Sequence, residues 1–437
     1  MIPRSSDTDA CPGALRLHAA ADGLLARVRL PGGMLTGGRL RALRALAEEF
    51  GDGHLELTSR ANLQIRALQA RDAETLATRL RDAGLLPSTT HDSVRNIASP
   101  PLAGQPLREL VSDLDRAIIS DPALSRLPGK FLFAIGHVPL ASDVAAVPAG
   151  DLFAIRFAGH DTGLRVPAER VVTVMTATAH AFLAERAAQR GDGPAAWRLR
   201  ELTGGPARVS RRVAEALSLT ATGVETAAPV EPVETGDLLG VVEQPDGLRA
   251  VGALVPLGRL SPVPMKVLEL ADRLLITPWR GVIVADLPED AAAGWTDRLI
   301  AAGLPVAADS RWVGVTSCAG RPGCAKSLAD VRADAAAASR HVDGLPVHWV
   351  GCDRACGSPA GRHVLARATT GGYLVTRLSN FQPGIGPEAA GPLSGAGGRG
   401  PRHVEKGSSP SPDDVSAASS PVAPAALGDV VAAARRP

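Results

Sequence analysis

The chain has 437 residues, 45% hydrophobic and 21% charged, the balance of a globular protein long enough for two or three domains. The net charge is only +2, which implies no general polyanion-binding surface: nucleic acid is not an expected partner, and any anion site must be local. The start, MIPRSSDTDACPGALRL, lacks the apolar stretch of a signal peptide, and the longest apolar run, Val171 to Leu183, is too short and too interrupted to span a bilayer, so the expected protein is cytoplasmic, without a membrane partner and with reduced thiols.

Residues 1–12 read as a flexible N-terminus, and Cys11 within it as incidental rather than a ligand. Residues 13–88 form the first organised unit. LLARVRL reads as a strand, PGGMLTGG as a tight strand-to-helix turn and RLRALRALAEEF as an amphipathic helix. HLELTSRANLQIRAL reads as a strand pair, and DAETLATRLRDAGL as a second helix capped by Asp72 and ended near Gly84. PGGMLTGG has neither G-x-G-x-x-G spacing nor an acidic partner at the right distance, so it is no dinucleotide site.

Residues 89–235 read as an α/β domain with basic loops: a helical stretch to about Ser120, a strand in LPGKFLFAIG, then DLFAIRFAG and a helix from Pro167 to Arg190. The Pro- and Gly-punctuated stretch from 191 to about 244 reads as a loop-rich connector. Residues 236–305 repeat the first unit. GRLSPVPMKVLELADR matches GMLTGGRLRALRALA, with Leu260 over Leu35 and Ser261 over Thr36, and LLITPWRGVIV matches LELTSRANLQI, with Thr277 over Thr58. One such pair implies two fused halves rather than a solenoid, which needs at least about three copies. Residues 306–381 end in a hairpin, HVLARATTGGYLVTRLSN, turning at Gly371–Gly372. Residues 382–437 are rich in Pro, Gly, Ser and Ala and read as a disordered tail; GAGGRG within it follows no strand and is assigned no function.

Four of the five cysteines, Cys318, Cys324, Cys352 and Cys356, fall in one short region as C-x5-C, a gap of 27 residues, then C-x3-C. Such clustering implies a shared ligand. A five-residue loop suits a zinc knuckle poorly, and disulfides need an oxidising compartment that no export signal suggests. A [4Fe–4S] cube is wider and accepts four thiolates on longer loops. Ala319, Gly320, Gly323, Gly351, Gly357 and Ser358 leave room for backbone N–H groups to reach its sulfurs. The cluster is the favoured reading; zinc and structural thiols are the alternatives.

In the first half, Arg60 and Arg66 in LTSRANLQIR, Arg95 in SVRN and Lys130 in LPGK put cations into loops or strand ends. Singly, each is most simply a surface charge. Beside a cluster motif they suggest a ligand rich in carboxylates, such as a modified tetrapyrrole with acetate and propionate arms.

LTSRANLQIR, DSVRNIASPPLAG, LPGKF, the internal repeat and C-x5-C…C-x3-C together resemble the nitrite/sulfite reductase superfamily, over about residues 14 to 380. The resemblance implies an α/β (α+β) fold: a pseudo-twofold pair of ferredoxin-like halves plus two α/β cofactor-binding domains. It also implies that Cys318, Cys324, Cys352 and Cys356 hold a [4Fe–4S] cluster, with Cys356 in the place of the thiolate that bridges to sirohaem iron. Arg60, Arg95 and Lys130 take the distal, anion-binding face. Sulfite-reducing members carry a K-x-K pattern, whereas here Lys130 is followed by Phe131 and Leu132. Losing a cationic proton donor argues against a six-electron oxyanion reduction. Sirohaem members often carry Asn between the last two cysteines, where this chain has Asp353, Arg354 and Ala355.

SCAGRPGCAKSLADVRADA, the short chain and TPWRG look like the precorrin-3B synthase branch of the superfamily. That likeness implies an Fe–S monooxygenase acting on a tetrapyrrole substrate, precorrin-3A, in cobalamin biosynthesis. The reaction implied is O2-dependent hydroxylation at C20 with γ-lactone formation from the ring-A acetate, and the likeness leaves open whether Cys356 bridges to a haem iron. A mononuclear iron is a further implied cofactor. His91, His137, His160, His348 and His363 are available to it, but spacing selects none of them. Electrons are expected from a separate donor, ferredoxin or an NAD(P)H-dependent reductase, because the chain has no dinucleotide fingerprint of its own. The alternative is a sirohaem-dependent assimilatory sulfite or nitrite reductase. A non-catalytic tetrapyrrole carrier is the third reading.

Overall fold

The computed structural model describes residues 11–191, 195–222, 238–359, 361–381 and 421–436. The chain divides into two compact units, one reaching Val313 and the other starting at Gly314. Residues 1–10 of the expected flexible N-terminus lie outside the described residues.

The first unit begins with β1 (His18–Ala20) and β2 (Gly23–Val28), then turns at Pro31–Gly33 into β3 (Met34–Leu35) and α1 (Gly37–Phe50). Alternation along β2 sends Ala26, Val28 and Leu30 into the core and leaves Arg27 and Arg29 on the opposite face. Leu40, Leu43, Leu46 and Ala47 recur at helical spacing and bury one face of α1. Its N-cap is Thr36, whose hydroxyl accepts from the Arg39 amide at 3.3 Å. A hairpin of β4 (Leu55–Leu57) and β5 (Leu63–Leu68) leads to α2 (Ala73–Asp82), which stops at Gly84 with φ +67. Asp72 sits at the start of α2 as expected but makes no side-chain cap bond, because it closes a 3-10 turn, donating its amide to the Gln69 carbonyl.

Next come β6 (Ile97–Ala98), α3 (Gln105–Ser120), β7 (Phe133–Ile135), β8 (Val144–Ala149), β9 (Leu152–Phe157), β10 (His160–Val166) and α4 (Val171–Ala188). The sheet runs β10-β9-β8-β7-β6, with β6, β7 and β8 parallel. The expected loop-rich connector is corrected here: within it α5 (Gly205–Leu217) forms and buries Val209 and Val213 in the core of this domain. Its Gly-Pro start reads as a break, yet proline is well tolerated in a first helical turn. Residues 223–237 of that stretch lie outside the described residues.

The second half contains β11 (Gly240–Glu243), β12 (Arg249–Leu254), β13 (Arg259–Leu260), α6 (Pro262–Leu268), β14 (Arg273–Ile276), β15 (Gly281–Leu287) and α7 (Glu289–Ala301). The halves exchange short strands. β3 pairs with β14 (Leu35 opposite Leu274) and β13 with β4 (Leu260 opposite Leu55), giving sheets β1-β2-β5-β4-β13 and β11-β12-β15-β14-β3. One apolar core joins both, from Leu40 and Leu63 to Leu268 and Leu299. The expected α/β (α+β) fold with reciprocal ferredoxin-like halves is therefore observed.

The second unit has β16 (Val315–Ser317), α8 (Val331–Ala338), β17 (Val347–Val350), β18 (Gly361–Thr369) and β19 (Gly372–Phe381). β16, β17 and β18 are parallel, and β18 with β19 is the expected hairpin. The expectation of disorder over 382–437 fails at its end, while residues 382–420 lie outside the described residues. Val422 bridges to Tyr373, and α9 (Pro424–Arg435) buries Leu427, Val431 and Ala434. Arg377 donates to the Ala434 carbonyl at 2.7 Å, and the buried Arg435 donates to that of Leu345 at 2.7 Å. The apolar residues of PAALGDVVAAAR are a helical face hidden in a low-complexity composition. Among the described residues, no helix is long and apolar enough to cross a membrane.

Candidate functional site

The first unit gathers cations from strands and loops far apart in sequence. Arg95 and Lys130 precede the parallel strands β6 and β7, so they emerge at the same sheet end, where Asn96 Nδ2 donates to the Gly129 carbonyl at 2.8 Å and joins the two loops. Lys130 Nζ lies 4.6 Å from the ring centroid of Trp197, a cation–π contact. The next residue, Arg198, is buried and donates Nε to Asp143, 3.0 Å from Oδ1 and 2.8 Å from Oδ2. Asp143 also accepts from the amides of Leu132 (2.8 Å) and Leu199 (2.7 Å). Breaking one side of such a pair leaves an uncompensated buried charge, at a cost of about 3–5 kcal/mol.

Arg60 is half-buried in the β4–β5 turn. Burial, followed by the charge of Arg198, pushes its guanidinium down to about 10. Of the other expected site residues, Arg95 is buried and forks onto Asp115 at 2.8 and 2.7 Å, which occupies two of its donors. Arg66 forks onto Asp22 at 2.9 Å from both Nε and Nη2, an internal ion pair. Thus Arg60 and Lys130 join one electrostatic neighbourhood through Trp197, Arg198 and Asp143, whereas Arg66 is held elsewhere by Asp22.

Sequence reasoning missed Arg29. It is 2% exposed, its Nη2 donates to the carbonyls of Pro12 (3.2 Å) and Ser93 (3.3 Å), and its Nε and Nη1 are buried with no partner among the described residues. Burial, then Arg27 and in smaller part Arg60, pushes it down to about 9, while Cys11 and Asp92 oppose the shift. A buried guanidinium with two unspent donors beside further cations is an anion acceptor. The available signal was the alternation in ARVRL, which puts Arg27 and Arg29 on one strand face. Trp197 and Arg198 carried no such signal.

In the second unit, β16 and β17 are parallel neighbours with Ser317 opposite Trp349, so Cys318 and Cys352 leave the same sheet end despite the gap between them. The Cys318 amide donates to the Trp349 carbonyl at 2.9 Å, and the Gly351 amide lies 3.4 Å from Cys318 Sγ. A Cβ on Gly351 would meet Ser327 Oγ at 1.7 Å, so glycine there lets the two cysteine loops close on each other. Cys352 to Ala355 and Ala355 to Ser358 form successive turns, each closed by a 3.2 Å backbone bond. The thiols of Cys318, Cys324 and Cys352 sense that of Cys356, although burial is the main cause of its raised pKa and Arg354 opposes it. Cys318, Cys324 and Cys352 are half-buried and Cys356 is exposed. Thiolates are the donors an iron–sulfur cluster would take, but among the described residues the four side chains are not gathered into a group that could hold a metal ion.

Three of the five candidate histidines are engaged structurally. His348 is buried, with Nδ1 2.8 Å from Thr316 Oγ1 and Nε2 3.0 Å from the Cys356 carbonyl, which positions the last cysteine loop. His91 Nε2 meets the Asp121 carbonyl at 2.9 Å, and His363 Nδ1 the Gly361 carbonyl at 2.9 Å. His137 is half-buried and held low by burial and Arg156, and His160 is exposed. Among the described residues, no three His, Cys, Asp or Glu side chains form a group suited to a single metal ion, so no ligand set for a mononuclear iron is named.

These features describe an α/β protein with paired ferredoxin-like halves, several cations brought together in the first unit and four cysteines on the loops of the second. The family model of the nitrite/sulfite reductase ferredoxin-like half domain matches residues 18–83. A ferredoxin–nitrite reductase of Synechococcus elongatus is 29% identical over 387 residues, 77% of this chain and 74% of the relative. A precorrin-3B synthase of Sinorhizobium sp is 27% identical over 402 residues, 86% of this chain and 84% of the relative. The solved structure of Mycobacterium tuberculosis NirA shares the fold with a TM-score of 0.69 at 20% identity, covering 93% of this chain and 79% of that one. The family model and the relatives support a place in the nitrite/sulfite reductase superfamily, whose matched members are oxidoreductases.

Proposed function

We propose that the chain catalyses the precorrin-3B synthase reaction, O2-dependent hydroxylation and γ-lactone formation on precorrin-3A, with a [4Fe–4S] cluster on Cys318, Cys324, Cys352 and Cys356. The observation that carries this reading is Leu132. It is 2% exposed, and both its amide and its carbonyl are tied to Asp143, where the K-x-K pattern of sulfite-reducing relatives would need a cation. An apolar side chain there cannot donate protons to a bound oxyanion. The precorrin-3B synthase relative also aligns over a larger share of both chains than the nitrite reductase does.

On this reading Arg29, Arg60 and Lys130 hold substrate carboxylates. Arg29 offers the donors Nε and Nη1, and Trp197 fixes the direction of Lys130. The cluster, when bound, supplies one-electron transfer. One oxygen atom enters the substrate and the other leaves as water, which takes two electrons and two protons from a separate donor, ferredoxin or an NAD(P)H-dependent reductase. Growth of a cobalamin auxotroph lacking this step tests the reading directly: the chain should restore growth, and Cys318→Ala should lose both growth and bound iron and sulfide. The likeness to ferredoxin–nitrite reductase favours a sirohaem-dependent reductase as the alternative. Intense Soret-type bands in the purified protein, with no complementation, would decide for it.

A further inference from the structure

Cys11 reads from the sequence as incidental, yet the fold sets it among the cations of the first unit. The segment that carries it is fastened from several sides. Arg16 Nη2 donates to the Cys11 carbonyl at 3.0 Å, and Arg29 Nη2 donates to the Pro12 carbonyl at 3.2 Å. The Arg27 amide donates to the Gly13 carbonyl at 3.0 Å, and Asp92 Oδ2 accepts the amides of Ala14 at 2.6 Å and Leu15 at 3.0 Å. The thiol itself is half-buried. Burial, followed by a neighbouring arginine, lowers both Arg29 and Arg60, and Cys11 comes first among the groups that oppose each shift, ahead of Asp92 and Asp143. An anion at this sulfur is therefore within electrostatic reach of both guanidiniums. Arg29 is 2% exposed, and its Nε and Nη1 have no partner among the described residues, so unspent donors lie beside the residue that follows the thiol.

We propose that Cys11 is a site of reversible S-thiolation by a small carboxylate-bearing disulfide of the glutathione disulfide class, whose carboxylates settle on the cations around the thiol. That the same cations hold a substrate is the reading given above, and only the competition described below rests on it. A partly exposed thiol in an electropositive setting is the kind that exchanges with disulfides. Cys11 Sγ, as thiolate, attacks one sulfur of the reagent. A new S–S bond joins Cys11 to one half of the reagent, whose own S–S bond breaks. The other half leaves with the electron pair of that bond and takes up the proton that Cys11 gave up. The disulfide is thus the oxidant: its leaving sulfur is reduced to a thiol while Cys11 is oxidised. A reducing thiol runs the same steps backwards. The attached half brings its carboxylates to Arg16, Arg29 and Arg60, where it excludes a second anion.

The test uses the purified full chain and two disulfides, the anionic glutathione disulfide and the neutral 2-hydroxyethyl disulfide. Trypsin releases Cys11 in the peptide Ser5 to Arg16, which has no other cysteine, so mass spectrometry reads its modification alone. The ratio of the two rates is compared between the folded chain and the chain unfolded in urea. Electrostatic steering of the charged reagent should raise that ratio about tenfold on folding. Arg60→Gln and Arg29→Leu should each lower it about threefold, and either variant serves should the other fail to fold. A ratio that is the same in the folded and unfolded chains overturns the proposal. So does a Cys11 that stays unmodified in the folded chain, or a ratio that the arginine variants leave unchanged. Once thiolated at Cys11, the chain should lose most of its binding of uroporphyrin, and dithiothreitol should restore it; unchanged binding overturns the placement of the adduct among the cations. Cys11→Ser given the same treatment should keep its binding, and a loss there would assign the effect to the cysteines of the second unit and overturn it likewise. A reduced wild type that binds no uroporphyrin counts instead against the polycarboxylate reading, and the rate ratio still judges Cys11.

Discussion

The two ferredoxin-like halves share a backbone and differ in what it carries. In the first, Gly33 returns its amide to the Leu30 carbonyl at 2.8 Å; in the second, Gly258 returns its amide to Val255 at 2.8 Å. Both glycines are left-handed, with φ +71 and +69, as are Ala61 (+56) and Arg280 (+63) in the matching hairpin turns. Thr58 accepts the Asn62 amide at 3.1 Å where Thr277 accepts that of Gly281 at 2.9 Å. Against this common frame, the strand face that presents Arg27 and Arg29 in one half presents Gly252 and Leu254 in the other. The two copies keep the same turns, while Arg27 and Arg29 of the first have no cationic counterpart at Gly252 and Leu254 of the second.

Exchanging residues across the pseudo-twofold therefore separates folding from function. The largest effect is expected for Leu254→Arg, which puts an unpaired cation at a position 5% exposed. It should cost about 4 kcal/mol in urea unfolding, and an unchanged midpoint would mean that the second half has a hidden anion partner. Next, Gly33→Ala should cost about 3 kcal/mol and Gly258→Ala about 1 kcal/mol. Both need a left-handed φ, but at Gly33 the new Cβ meets the Ile276 carbonyl at 2.2 Å, and at Gly258 it meets the Arg280 side chain at 2.7 Å. Equal losses would show that backbone strain alone sets the cost.

Arg29→Leu, which copies the second half into the first, should stabilise the fold by about 1–2 kcal/mol while abolishing binding of a polycarboxylate porphyrin such as uroporphyrin. Burial holds the Arg29 cation down to about 9. A bound anion favours the charged form and raises that value, so binding takes up a proton above pH 9. Affinity should then be level between pH 7 and 8 and fall as pH rises through about 9. A fall below pH 8 would point to another group. The smallest effects belong to Thr58→Ala and Thr277→Ala, about 1 kcal/mol each by thermal unfolding, with similar values expected because the two turns are built alike.

Much of this frame was legible locally. Leu40, Leu43 and Leu46 announce α1, Gly84 its neighbour's end, and the Thr58/Thr277 match the repeat. The cysteine motif was legible for the same reason, since four thiols in one short segment need no distant partner to be noticed, and it is a proposed site. The cationic site was only half legible. Arg60 and Lys130 could be named from their motifs, but nothing near Arg95 in sequence points to Asp115, which takes up its fork. Nor does ARVRL by itself say that Arg29 is buried with donors to spare. The helix α5 was masked by its Gly-Pro start, and α9 by the composition around it.

The sequence by itself determined the periodic elements, the duplicated half and the clustered thiols, because spacing of 2 or 3.6 residues and a run of cysteines are properties of neighbours along the chain. Only the tertiary structure decided which strands the halves exchange, which arginines are spent on Asp115 and Asp22, and which one, Arg29, is left buried with unspent donors. Desolvation and ion pairing depend on groups that the fold brings together from far apart in sequence, and no local pattern encodes them.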